Sequence, residues 1–261
     1  MRIGSFITIT RPEQRGDTYK ECLTAANGFS DVVTIINGED SWPREFGWDL
    51  IGKHFQAGYA TTDADWVIHL DTDFIFHEDD YQAIRAACQA NNDAPAMSFW
   101  KYQFILPDRY NLKSRLVIAV NKGKYGDRIR FDSGGDLCQP SLDGRELRPD
   151  DVPEARIPFY NYEKILKTKE QVTDDVGRMA RAWERYFESY KLGGPDDESA
   201  YQEWLKMTVG RFKRPQERVS LSFHPRVMRD TINNLTPEQF GYSGFGYLGE
   251  NDYVKSRLRS G

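Results

Sequence analysis

Three short, almost unbroken apolar runs, Ile3–Ile9, Val32–Ile36 and Trp66–Leu70, stand roughly thirty residues apart at the start of the chain. Strands that alternate apolar and polar side chains keep one face in water, whereas unbroken runs rich in Val and Ile are covered on both faces. Between the runs the period changes. Arg11, Pro12 and Gly16 break the first, Thr18–Asn27 reads as a helix ending at Gly28, and a second helical stretch covers about Asp49 to Tyr59. Parallel strands need crossovers of this kind, so the order βαβαβ predicts an α/β fold with a mixed, mostly parallel central sheet flanked by helices. Tyr81–Asn91, capped by Asp79 or Asp80, adds a helix, and Ala96–Phe104 a strand.

After Pro107 the pattern loosens. Leu116–Val120 and Arg128–Phe131 read as short strands, and Pro140–Pro158 as mostly loop. From Glu163 to Tyr190 apolar residues recur at helical spacing, among them Ile165, Leu166, Val172, Val176, Met179, Trp183 and Phe187, which predicts a long amphipathic helix packed on the chain's own sheet. A helix over Glu198–Phe212 and a Tyr/Gly-rich tail over Phe240–Gly249 follow. The expected organisation is an α/β domain over 1–162 and a helical C-terminal region over 163–261 packed on it.

Charge and cysteine content narrow the class. The net charge of −5 argues against a wholly basic nucleic-acid binder, yet residues 1–108 carry −9 and the remainder +4. Within 205–230, Lys206, Arg211, Lys213, Arg214, Arg218, Arg226 and Arg229 face only Glu217 and Asp230, a stretch suited either to phosphates or to a solvated surface. Cys22, Cys88 and Cys138 are odd in number and widely spaced, so neither a disulfide framework nor a zinc site is indicated, and a reducing cytoplasm fits. No stretch approaches eighteen consecutive apolar residues, so no membrane span is expected. No Gly-rich phosphate loop of the GxxxxGK[ST] or GxGxxG type is present, which sets kinase and dinucleotide readings aside.

The segment Trp66-Val67-Ile68-His69-Leu70-Asp71-Thr72-Asp73-Phe74-Ile75-Phe76 carries the chemistry. A buried strand runs into two acids and returns to apolar residues. In extended geometry i and i+2 point to one side, so Asp71 and Asp73 are expected to share one small volume. Like charges there call for a divalent cation, and hard oxygen ligands favour Mg²⁺ or Mn²⁺. The carboxyl ends of parallel strands are also where α/β sheets bind ligands. Asp79 and Asp80, by contrast, suit a helix start.

A strand ending in Asp-x-Asp, about seventy residues after a strand ending Thr8-Ile9-Thr10-Arg11, resembles the family 2 glycosyltransferases of the Rossmann-like A-type nucleotide-sugar fold. Ile36-Asn37-Gly38-Glu39-Asp40 and Ala60-Thr61-Thr62-Asp63-Ala64-Asp65-Trp66 add to the resemblance, which covers about residues 3–104. Ile157-Pro158-Phe159-Tyr160-Asn161-Tyr162 and Ser222-Phe223-His224-Pro225 resemble a bacterial and viral subgroup, in which the first stretch usually carries a histidine where this chain has Asn161. The resemblance implies transfer of a sugar from a nucleotide-diphosphate sugar to an acceptor hydroxyl on a glycan or a hydroxylated DNA base, in the cytoplasm of a cell or of a virus-infected host, without an obligate protein partner. It implies that Asp71 and Asp73 bind metal, that Asp71 and Thr72 line the nucleotide site with Thr10, Arg11, Asn37, Gly38 and Asp40, and that Lys53 reaches a phosphate unless it is a solvated helix lysine. His224 is a candidate third metal ligand, or a capping residue only. For an inverting reaction the base candidates are Asp136 and Asp132 in the Gly-rich stretch Phe131-Asp132-Ser133-Gly134-Gly135-Asp136, with Glu163 as a third. The competing functions are a non-catalytic carbohydrate or nucleic-acid binder and a metal-dependent nucleotidyltransferase or phosphohydrolase.

Overall fold

The computed structural model describes residues 1–38, 45–132, 138–189, 193–212 and 214–246. In the first part of the chain the apolar runs become β1 (Ile3–Ile9), β2 (Val32–Asn37) and β3 (Trp66–Leu70), joined through α1 (Pro12–Arg15), α2 (Tyr19–Phe29) and α3 (Asp49–Thr61). β4 (Phe74–Phe76), α4 (Tyr81–Ala90), β5 (Ala96–Leu106), β6 (Arg109–Asn121) and α5 (Lys122–Tyr125) follow. A small second sheet is formed by β7 (Ile129–Arg130), β8 (Ser141–Leu142) and β9 (Arg145–Glu146). β10 (Glu154–Asn161), α6 (Lys169–Phe187), α7 (Asp197–Phe212), β11 (Glu217–Arg218), α8 (Arg226–Asn233) and α9 (Phe240–Ser243) complete the order.

The main sheet runs β2-β1-β3-β6-β5-β10-β4, with β11 added to β6. β1, β2, β3, β5, β10 and β11 point one way and β4 and β6 the other, a mixed and mostly parallel sheet. Helices cover both faces. The buried residues of α2, Cys22, Ala25, Ala26 and Phe29, recur at helical spacing and join Ile3, Ile7, Trp66 and Ile68 in one core. On the other face Ile51, Phe55 and Tyr59 of α3 meet Phe6, Val67 and Val120, with Ala182 of α6 in the same cluster. α3 lies close on the sheet because Gly58 presents no side chain: a Cβ there would come within 2.4 Å of the Phe6 ring. A third cluster, Val172, Tyr201, Trp204 and Phe240 against Ile105, seats α6 and α7 at the end of β5.

The elements depart from expectation in three places. β6 begins at Arg109 rather than near Leu116, because its first half alternates Tyr110 and Leu112 with Asn111 and Lys113 and so lacks an apolar run. β10 starts inside the proline-rich stretch expected to be loop, and tolerates Pro158 because the register with β5 shifts between Ala155 and Pro158. α6 starts at Lys169, behind a capping box in which Thr168 and Gln171 exchange side-chain and backbone hydrogen bonds. Residues 163–167 turn instead, through Ile165 N–H to Tyr162 O and Lys167 N–H to Lys164 O. The free cysteines Cys22, Cys88 and Cys138 are buried. Among the described residues no helix is long and apolar enough to cross a membrane.

Candidate active site

β3 pairs with β6 only as far as Ile68 opposite Ala119, and beyond Leu70 the chain leaves the sheet to reach β10, which it joins antiparallel at Phe74 opposite Asn161. Asp71, Thr72 and Asp73 make this turn, closed by Phe74 N–H donating to Asp71 O at 3.0 Å. The two carboxylates therefore meet through a turn, not through the i, i+2 geometry of an extended strand. Two neighbours fix it. From the start of α2, Thr18 Oγ1 donates to Thr72 O at 2.8 Å and Cys22 Sγ lies 3.4 Å from Asp71 O. From the end of β10, Tyr162 N–H donates to Asp73 O at 3.1 Å and Asn161 Nδ2 to Asp73 Oδ2 at 2.8 Å.

Both acids open on a cavity of about 190 Å³, shared with Thr8, Thr10, Thr72, Arg15 and Glu163. His69, stacked on Phe6 with ring centroids 5.1 Å apart, places Nε2 3.1 Å from Asp71 Oδ1. Burial, together with Asp71, Glu163 and Asp17, pushes the Asp73 carboxyl up to about 7, against the pull of Lys101. A site that holds a second carboxylate this reluctant to ionise is short of positive charge at that point.

The opposite wall is cationic. Lys167, 3% exposed in its side chain, sits 2.6 Å from both Asp17 and Asp175, and donates to Arg15 O at 2.7 Å. Arg15 and Lys164 each approach Asp175 at 3.3 Å, and Arg178 at 2.5 Å. Four cations thus surround two buried carboxylates. Burial works against the Asp175 charge, but Lys164, Arg15, Lys167 and Arg178 prevail and hold its carboxyl well below the usual range. Burial and the neighbouring cations lower Lys167. The Asp175 direction marks the cations gathered on that carboxylate, whereas Lys167 is lowered first by burial, and the acids raise Arg15 and Lys164 against burial. The cluster continues into a cleft of about 650 Å³ bordered by Thr10, Arg11 and Arg178, where Arg11 holds a left-handed backbone with φ 44°. On the other side it opens into a cleft of about 400 Å³ with Trp204, Met207 and Arg211 on its wall.

Glu163 stands between the walls. Gln103 Nε2 donates to its Oε2 at 2.7 Å, and Arg211 lies 3.6 Å away. Burial disfavours its charge, but Lys164, Arg211, Lys101 and the Gln103 hydrogen bond outweigh it and keep the carboxyl below its ordinary value.

Of the residues singled out in the sequence, Thr10, Asp71, Thr72 and Asp73 line one cavity and Arg11 borders the next. Gly38 packs beside Thr10, whose Oγ1 would lie 3.0 Å from a Cβ at that position, and Asn37 ends β2 next to it. Lys53 and Asp132 stand apart, in a separate cleft with Gln56 and Tyr186. Lys53 projects from the exposed side of α3 and pairs with Asp49 at 2.5 Å, while Asp132 accepts from Ser141 Oγ at 2.8 Å. Asp40 and Asp136 lie outside the described residues. Arg15, Asp17, Lys164, Lys167, Asp175 and Arg178 were not anticipated. Their signal in the sequence is slight: a Glu-Lys-x-x-Lys turn after a strand, and an acid and a base three residues apart on the buried side of an amphipathic helix.

His224 has no coordinating nitrogen to offer. The ring is fully buried, Nδ1 is 2.7 Å from Tyr162 Oη, and Nε2 is 2.7 Å from Pro107 O. Its role is to tie the segment before α8 to the ends of β5 and β10. Burial lowers its pKa to about 4 despite the Pro107 carbonyl. A base held neutral in the fold stabilises above its unfolded value near 6.5, and that stability is lost as pH falls toward about 4. A melting series from pH 7 to pH 4 on wild type and His224→Gln should show a shallower decline in the variant; parallel declines would exclude this origin.

No protein-family model matches the chain, and no curated protein matches it. Among solved structures, residues 1–349 of S. aureus TarS align over 100% of this chain and 91% of that one, at 9% identity and a TM-score of 0.36. The same TarS fragment in complex with UDP aligns over the same shares at 10% identity and a TM-score of 0.39. A longer TarS structure, of which 55% is covered, gives 9% and 0.37. These likenesses are distant.

Proposed function

We propose that the chain is a metal-assisted glycosyltransferase that moves a sugar from a nucleoside diphosphate sugar to an acceptor hydroxyl. One observation carries the reading: a single cavity at the carboxyl ends of the parallel strands has a carboxylate wall, Asp71 and Asp73, and a cationic wall, Arg15, Lys164 and Lys167, with Glu163 between them, while Arg178 lines the two adjoining clefts. A diphosphate is an anion large enough to answer both walls, and Asp71 and Asp73 are the residues that would hold a divalent cation for it.

The residues present fit such a cation. The donors are hard oxygens, burial and the neighbouring Asp71 raise the Asp73 carboxyl, and Asn161 Oδ1 beside it is buried without a hydrogen-bond partner. Oxygen donors of this kind are the type Mg²⁺ and Mn²⁺ take, ions that usually complete their shell with phosphate and water. Such an ion supplies a Lewis acid for the departing diphosphate. Asn161 orients Asp73 through its amide hydrogen bond, and His69 Nε2 lies beside Asp71. The cationic wall binds the diphosphate oxygens and favours the charge that develops on them. Glu163, kept ionised, takes the proton from the acceptor hydroxyl as the bond to the sugar forms.

The test is calorimetric titration with UDP and a panel of other nucleoside diphosphates, with and without Mn²⁺, between pH 6 and 8. A cation and a proton compete for Asp73, so metal-assisted affinity should rise by up to about tenfold per pH unit below pH 7 and level off above it. Binding indifferent to chelator, or flat across this range, would refute the assignment and favour a non-catalytic binder.

A further inference from the structure

The β5–β6 hairpin sets two lysines against each other. Lys101 and Lys113 are direct partners in the antiparallel register, so both side chains stand on one face at close range. Like charges so placed destabilise a sheet. Neither has an acid within 4 Å among the described residues, and burial, with Arg211, Arg214 and Lys101, pushes Lys113 below its ordinary pKa. The segment after α7 closes over this hairpin: Asn111 Nδ2 donates to Pro215 O at 2.8 Å, and β11 pairs with Tyr110 and Arg109. It carries Arg214, also without an acid within 4 Å among the described residues, and the last turn of α7 carries Arg211, whose ion pair is with Glu163.

The same face holds acceptors that lack donors. Gln103 and Asn111 are direct partners across β5 and β6. Each gives its amide N–H to a neighbour, and each leaves its side-chain oxygen buried and unpartnered. Such oxygens match hydroxyl groups, and the cations beside them match a phosphate.

We infer that this face binds a phosphate ester, and that the acceptor is a phosphorylated hydroxyl compound held with its phosphate on Lys101, Lys113, Arg211 and Arg214. The inference rests on the transferase reading above, since Glu163 lies between this patch and the two acids. The site is compact. The basic stretch at 205–230 does not form one track, because Arg226 and Arg229 turn to Glu78 at 3.6 and 4.0 Å and Lys206 to Glu203 at 3.4 Å. One phosphate, rather than a nucleic-acid backbone, fits what remains.

With the donor site saturated by UDP and Mn²⁺, the full chain should bind glucose 6-phosphate at least tenfold more tightly than glucose. The double variant Lys113→Gln/Arg214→Gln should lose at least tenfold of that affinity, keep its UDP affinity within twofold, and melt no lower than wild type, since the opposed lysines are relieved. Equal affinity for the two sugars, or an unimpaired double variant, overturns the site. Failure of the wild type to bind UDP would overturn the donor reading and leave the phosphate comparison standing. Affinity that climbs steeply with the length of a single-stranded oligonucleotide would overturn the compact site in favour of a nucleic-acid track.

Discussion

Asp73→Asn should abolish metal-assisted nucleoside diphosphate binding and, without ligand, should melt higher than wild type at pH 8. The two effects have one cause. Burial and the acids Asp71, Glu163 and Asp17 push the Asp73 carboxyl up to about 7, so at pH 8 the protein carries a buried charge that its surroundings oppose. Asparagine has the same shape, keeps an oxygen for the Asn161 amide, and removes the charge. A group whose folded pKa lies above its unfolded value destabilises progressively as pH rises through the interval between them. The gain in the variant should therefore be on the order of 2 kcal/mol at pH 8, roughly 4–8 °C for a chain of this size, and should shrink toward pH 5, where wild-type Asp73 is protonated. Melting curves of both proteins at pH 5 and pH 8 decide the point. A variant that melts lower than wild type at both values would mean that the carboxylate serves structure, and retained binding would remove Asp73 from the donor site.

How much of this was legible in the sequence depends on how local each feature is. β1 and β3 match their apolar runs residue for residue, because burial on both faces selects mostly apolar residues along the whole strand. The Asp71–Asp73 pair was visible as two acids between apolar neighbours, but the reason they converge was not: the turn is dictated by Thr18, Cys22 and Asn161, residues up to 88 positions away from their partners. Glu163 was named as a base candidate, but Lys164 and Lys167 were hidden by Ile165 and Leu166, whose spacing continues the helical period of α6 although the Thr168 capping box starts the helix later. Ile165 is buried under Gly241, not on a helix stripe. The cationic wall joins residues 15 and 17 to residues 164–178, and no local pattern in either segment announces the other. The lysine pair of the hairpin needed the register of β5 with β6, which the alternating first half of β6 concealed.

The cationic wall makes the second large effect. Lys167→Met should destabilise the ligand-free protein by about 3–5 kcal/mol, a fall in melting temperature on the order of 10 °C. Lys167 is in contact with Asp17, Asp175 and the Arg15 carbonyl at once, and methionine fills its volume while leaving those oxygens buried with one fewer cation. The size of the loss reflects the stranded partners more than the strength of any one ion pair. The double variant Lys167→Met/Asp175→Leu should accordingly recover part of the loss, because it removes the stranded acid too, and the cycle should show a coupling of about 1–3 kcal/mol. UDP affinity separates stability from function: both variants should bind the nucleotide at least tenfold more weakly, since the recovered core has still lost a cation that lines the donor cavity. Thermal melts and UDP titrations of the four proteins in the cycle measure both quantities. Recovery of UDP affinity together with stability would show that the wall only supports the fold, and strictly additive melting losses would show that Lys167 and Asp175 do not act as one network.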